Sequence, residues 1–146
     1  MADPLLMGPA ALFLTSTVWT TAVAATRPDL PGEPFGVRVP GPVRTHLALG
    51  LGSAVAAPWP MPAIAMWAAA RGDPASAWAA RTTAAIGIGV VVGILSEPAT
   101  WGRRPPPTHR ANVALGLAIG AAMASAGSYR LRQQAGATAT PVAASA

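Results

Sequence analysis

The chain has 146 residues, 52% of them hydrophobic and only 10% charged, with a formal net charge of +5. Soluble domains carry roughly 25% charged residues, so ten arginines and five acids cannot cover a domain of this size in polar surface. An ordinary water-soluble domain is thereby excluded, and the surplus apolar surface is expected to face lipid; with no cysteine, so are a disulfide framework, a thiolate nucleophile and a cysteine-based metal site.

A membrane-crossing helix needs about 20 largely apolar residues, and four runs approach that length. The first, Pro4 to Thr26, carries no charge. Asp3-Pro4 gives it an N-cap acceptor followed by proline at the first helical position, and Arg27-Pro28 ends it. Ala22-Val23-Ala24 resembles a signal-peptide cleavage site, but Met-Ala-Asp lacks the positive start of a signal peptide, so the run is read as a retained span.

The second run is Val43 to Ala70. Within it, Pro58, Pro60 and Pro62 stand at alternate positions, and each interior proline removes a helix bond and clashes with the preceding turn. A helix is therefore expected from Val43 to Ala57, rising about 22 Å, then a break, with Ala63 to Ala70 completing the crossing or lying in the interface beside Trp59, Trp67 and Trp78.

The third run, Pro74 to Ser96, follows Gly72-Asp73-Pro74, a stop, cap and start in succession, and contains Arg81. A charge at that depth is explained by snorkelling, with Asp73 or Asp3 as partner. The fourth run is Thr108 to Tyr129, followed by Arg130 and Arg132. The polar tail 133–146 is expected to be disordered.

Two stretches echo each other. Sliding the chain by 66 residues matches Gly36/Gly102, Arg38/Arg104, Pro40/Pro106, Arg44/Arg110, Ala48/Ala114, Leu49/Leu115, Gly50/Gly116 and Leu51/Leu117, and a two-residue gap brings Glu33-Pro34 onto Glu97-Pro98. Composition accounts for the Ala and Gly matches but not for the ordered Glu-Pro, Gly, Arg, Pro, Arg. The expected fold is thus an all-α integral membrane protein of four transmembrane helices. It forms one domain over 1–132, built as two hairpin repeats, about 4–70 and about 74–130. An even number of crossings separates the copies, so they are parallel repeats rather than inverted ones.

Small residues recur four apart at Gly50 and Ala54, at Gly89 and Gly93, and at Gly116, Gly120 and Ala124. In lipid such positions let helix backbones approach closely, and they are read as a packing seam within one chain or between chains. The arginine balance, six around the Glu-Pro loops against four on the other side, places those loops in the cytoplasm and both termini outside.

Arg38, Arg44, Arg104 and Arg110 are candidates for an anionic lipid headgroup, since a planar guanidinium grips phosphate. Glu33, Glu97, His46, His109 and Asn112 form a candidate polar group at the same end. Each glutamate has an arginine of its own loop as the simplest partner, Arg38 or Arg104. Neither histidine has an acid three or four residues away, so no metal site and no cofactor is expected. The arginines flank apolar runs without interleaved aromatics, which argues against nucleic acid. No catalytic triad, paired-carboxylate or phosphate-loop pattern is present. The expected function is a non-catalytic membrane scaffold, accessory subunit or lipid-interacting bundle, with membrane lipids and a second copy or another membrane protein as partners. The alternatives are a small-solute transporter or channel, suggested by the proline break, and a membrane-embedded enzyme on a lipid-like substrate.

Overall fold

The computed structural model describes residues 2–27, 32–73, 77–102 and 107–138. Every regular element among them is helical. Asp3 takes an extended conformation and its carboxylate accepts from the N–H of Leu5 at 3.0 Å, which starts α1, Pro4–Ala25. After α1 the chain reaches Glu33 and a short 3-10 turn, Pro34–Gly36. A second helix, α2, follows at Val43–Ala48, and α3 runs from Pro60 to Arg71. Then come α4, Ala77–Ser96, a second 3-10 turn directly after Glu97 at Pro98–Trp101, and α5, Pro107–Thr138.

Three helices, α1, α4 and α5, are long and apolar enough to cross a membrane. The second apolar run differs from the expected helix to Ala57. It stops at Ala48 because Gly50 and Gly52 adopt φ of +73° and +82°, a left-handed geometry that glycine takes without steric cost. The loop closes its own backbone bonds: Leu51 N–H donates to His46 O, Ser53 N–H to Ala56 O, and Trp59 N–H to Gly50 O. The prolines act where α3 begins. Pro60 and Pro62 lie in its first turn, where a missing N–H removes no helix bond. Where the polar tail is expected to begin, α5 continues through Gln133, Gln134 and Ala135, which have good helix propensity, and past Gly136 to Thr138; the rest of that tail, 139–146, lies outside the described residues.

Packing follows side-chain size. The core joins Leu6, Ala10 and Phe13 of α1 to Ala65, Ala68 and Ala69 of α3 and to Ile119 and Met123 of α5. The tightest contact is α4 on α5. A Cβ placed on Gly87 would lie 2.5 Å from Ala124 N and 2.6 Å from Gly120 O. One on Gly120 would lie 2.9 Å from Gly87 O, and one on Gly127 2.5 Å from Ala80 O. Gly116 fits against Ile94. This close approach is the lipid-phase substitute for a hydrophobic driving force. Gly116, Gly120 and Ala124 therefore lie on the seam, whereas Gly89 meets only the end of the Met61 side chain and Gly93 meets nothing within 4 Å. Gly50 and Ala54 are in the loop after α2 and face no helix seam. The α4 residue at the contact is Gly87, two residues before Gly89 and therefore on roughly the opposite side of the helix.

The outer faces of the long helices carry large apolar side chains: Leu12 and Trp19 on α1 are each 61% exposed, and Ile88 on α4 is 55% exposed. Such a surface is compatible with a membrane protein. At one end, Asp3 receives the Arg130 guanidinium, Nε to Oδ2 at 2.8 Å, and its N–H donates to Ala69 O at 3.2 Å. That contact clasps the start of α1, the end of α3 and the last third of α5. It also means that Asp3 is the partner of Arg130; Arg81 is exposed on α4. At the other end the two Glu-Pro turns meet, because the N–H of Glu33 donates to both carboxylate oxygens of Glu97, at 3.1 and 3.0 Å.

Candidate functional site

Breaking the second run at Gly50 leaves the Glu-Pro end of the bundle without a continuous fourth helix. A cavity of about 300 Å³ fills that place. Its apolar wall is built from Phe13 of α1, Met61 of α3, Val90 and Ile94 of α4, and Val113 of α5. The loop from Leu51 to Pro58 covers one side, and Gly32, Pro34 and Val39 of the first Glu-Pro segment line another.

The polar side chains of the lining come from α1, α2, the residue after α4, α5 and the 51–58 loop, which gives Ser53. Thr17 and Thr20 project from α1, and Ser16 lies beside them. Their hydroxyls donate to their own helix, Ser16 and Thr17 to Phe13 O and Thr20 to Ser16 O, all at 2.9 Å. His46 comes from α2, Glu97 from the position after α4, and His109 and Asn112 from the first turns of α5. Four of the five members of the sequence-derived polar group therefore line one cavity. Glu33 does not: its N–H holds Glu97, while its carboxylate lies 3.9 Å from the Arg38 Nε. Arg38 is 72% exposed in that pair, so the contact contributes little.

Both histidines tie a helix to a Glu-Pro loop. His46 Nε2 lies 2.7 Å from Pro40 O, and His109 Nε2 lies 3.1 Å from Ala99 O. A carbonyl only accepts, so Nε2 carries the hydrogen in each ring. Gly41, at φ +106°, packs against the His46 ring where a Cβ would crowd Nε2. His109 is 5% exposed, and its Nδ1 is buried without a hydrogen-bond partner among the described residues. Glu97 is 9% exposed. Burial pushes its carboxyl above the ordinary value of 4.5; the Glu33 N–H opposes that and the Glu33 carboxylate adds to it.

The arginines lie elsewhere. Arg44 on α2 and Arg110 on α5 are exposed, Arg38 is exposed in its loop, and none of the three lines the cavity. Arg104, the partner expected for Glu97, lies outside the described residues; among the described residues the Glu97 carboxylate accepts from the backbone N–H of Glu33 in the other loop. Among the described residues no group of three or more metal-ligating side chains forms.

Sequence reasoning missed the lining contributed by Thr17, Thr20 and the 51–58 loop. Their signal was present but ambiguous. Hydroxyls bonded to their own helix need no ligand, and an Ala/Gly/Pro run gives no sign that it encloses space. No protein-family model, no curated protein and no solved structure matches the chain.

Proposed function

We propose that this chain is a small, non-catalytic integral membrane protein that holds one amphipathic molecule in the cavity at its Glu-Pro end. The observation that supports this is the lining itself. Apolar side chains form most of the wall, and Glu97, His46, His109 and Asn112 are among the polar groups that line it. Small-molecule sites are mostly apolar clefts with a few convergent polar groups, and 300 Å³ stands at the lower end of their usual range. On this reading the two Glu-Pro segments are copies of one unit, the first repeat having lost its second transmembrane helix to the cavity loop. The Glu-Pro loops face the cytoplasm, where the exposed Arg38, Arg44 and Arg110 sit at the level of anionic headgroups.

The test is purification in native-lipid nanodiscs followed by mass spectrometry, comparing the wild type with Gly93→Phe. Gly93 lines the cavity and a Cβ there meets nothing within 4 Å, so a large side chain can be introduced beside the site without an immediate backbone clash. A defined small molecule retained by the wild type and lost by Gly93→Phe supports the reading. Equal retention in both, or bulk lipid alone in both, overturns it.

A second reading, a small-solute transporter, is favoured by one observation: non-helical backbone from Leu51 to Pro58 lines the cavity, as broken helices do at transporter sites. Flux of the retained molecule across proteoliposomes, blocked by Gly93→Phe, separates transport from binding.

A further inference from the structure

The cavity's polar side chains share a chemical bias. Thr17 and Thr20 have already given their hydrogens to helix carbonyls, so toward a ligand they keep only lone pairs. His46 and His109 have each committed the Nε2 hydrogen to a loop carbonyl, which leaves Nδ1 as the acceptor of the uncharged ring. At His109 that Nδ1 is buried and unpartnered among the described residues. Glu97 is acceptor-only when ionised, and a single backbone N–H serves it. No guanidinium pairs with it among the described residues, and the exposed arginines of this end do not line the cavity. Asn112 and Ser53 are the lining side chains that still have hydrogens to offer.

Resting on the reading of this cavity as a binding site, we propose that its ligand carries a hydrogen-bond-donating, cationic head, a primary or secondary ammonium, on a compact apolar body. The ammonium supplies what is scarce among the described lining residues: donors, and a positive charge beside a buried carboxylate. Its apolar body occupies the side formed by Phe13, Met61 and Val90. Burial raises the proton affinity of Glu97, and a cation beside the carboxylate would offset that cost.

The experiment uses three probes with one cage and different heads: adamantan-1-amine, adamantan-1-ol and adamantane-1-carboxylate. Binding is measured by equilibrium dialysis at pH 7.5 against the full chain in phosphatidylcholine nanodiscs, with empty nanodiscs subtracted. The amine is expected to bind roughly tenfold or more tightly than the acid, because a charge-assisted hydrogen bond to a buried carboxylate is at stake. The alcohol falls between them. Glu97→Gln keeps an oxygen for the Glu33 N–H and is expected to reduce the amine to the level of the alcohol. Circular dichroism of the variant checks that the helices persist. A preference for the acid overturns the proposal. An amine preference that survives Glu97→Gln overturns it as well. If none of the three probes binds, the cavity reading falls first and this assignment with it.

Discussion

After Arg44 the chain holds a helix only to Ala48; after Arg110 it holds one to Thr138. Yet the same four residues, Ala-Leu-Gly-Leu, follow each arginine at the same distance. The difference lies further on. Gly52 in the first stretch corresponds to Ala118 in the second, and Pro58, Pro60 and Pro62 correspond to Ala124, Ala126 and Ser128. Gly50 and Gly116 are equivalent in sequence, but Gly50 turns left-handed while Gly116 stays helical against Ile94. Residue identity at the matched positions therefore does not decide between helix and loop here. What decides is whether the next turns can be helical and whether a neighbouring helix is close enough to hold them. The stretch with a partner, α5 against α4, becomes a wall; the stretch without one becomes the loop that encloses the cavity.

The largest effect is expected where that wall is held. Gly87→Val puts carbon atoms into the backbone of α5 at Ala124 and Gly120, neither of which can swing aside. Overpacking of this kind costs about 3 kcal/mol or more when backbone must move. Thermal unfolding in detergent should show a large drop in midpoint for Gly87→Val. Gly93→Ala, with open space around the new methyl, should change stability by less than about 1 kcal/mol. If the two variants behave alike, α5 is not held by the α4 seam and the contrast between the two stretches needs another cause.

The next effect tests the loop directly. Gly52→Ala demands φ +82° of a residue with a Cβ, and that Cβ would run into Pro58 N at 2.9 Å and Ala57 C at 3.0 Å. A cost of roughly 2 kcal/mol is expected from the strained backbone and the contact together. The reciprocal change, Ala118→Gly, adds a glycine to a continuous helix and should cost only about 1 kcal/mol. Unfolding midpoints of the two variants, measured side by side, give the order. Should Ala118→Gly prove the more damaging, the helical state of the second stretch rests on Ala118 itself and not on the α4 contact.

Parts of this arrangement are legible in the residues. Uncharged runs bounded by Asp-Pro and Arg-Pro mark α1, and the long third and fourth runs mark α4 and α5, because length and apolarity alone determine whether a helix spans a bilayer. The convergence of Glu97, His46, His109 and Asn112 is half legible, since the two Glu-Pro segments fall at the same end once an even number of crossings lies between them. The end of α2 at Ala48 is not, because glycine at positions 50 and 116 reads the same in both stretches, and the prolines that do differ lie ten and more residues beyond it. The seam residue Gly87 was also hidden: small residues four apart at Gly89 and Gly93 fit the pattern better, and only the rotation of α4 against α5 shows which side is in contact. The bond from the Glu33 N–H to Glu97 is invisible to side-chain reasoning, because its donor is backbone.

That bond leads to the smallest and most specific effect. Glu97 closes the gap between the wall and the loop side of the cavity, and burial, first of all, raises its proton affinity above the ordinary 4.5. An acid whose folded-state value is raised binds its proton more tightly folded than unfolded. Its contribution to stability is therefore fully present below 4.5 and is lost as pH rises through the folded-state value, after which it stays flat. The unfolding midpoint of the wild type should accordingly rise on acidification through the window just above 4.5. Glu97→Gln should remove that slope, having no proton to gain. Glu33→Gln keeps the N–H that Glu97 accepts from but deletes the nearby like charge, so it should leave a shallower slope of the same sign. A wild-type midpoint that falls on acidification in this window, with the fall abolished by Glu97→Gln, would mean that the ionised carboxylate's hold on the Glu33 N–H outweighs its burial, and that the two Glu-Pro turns are joined by Glu97 as an anion.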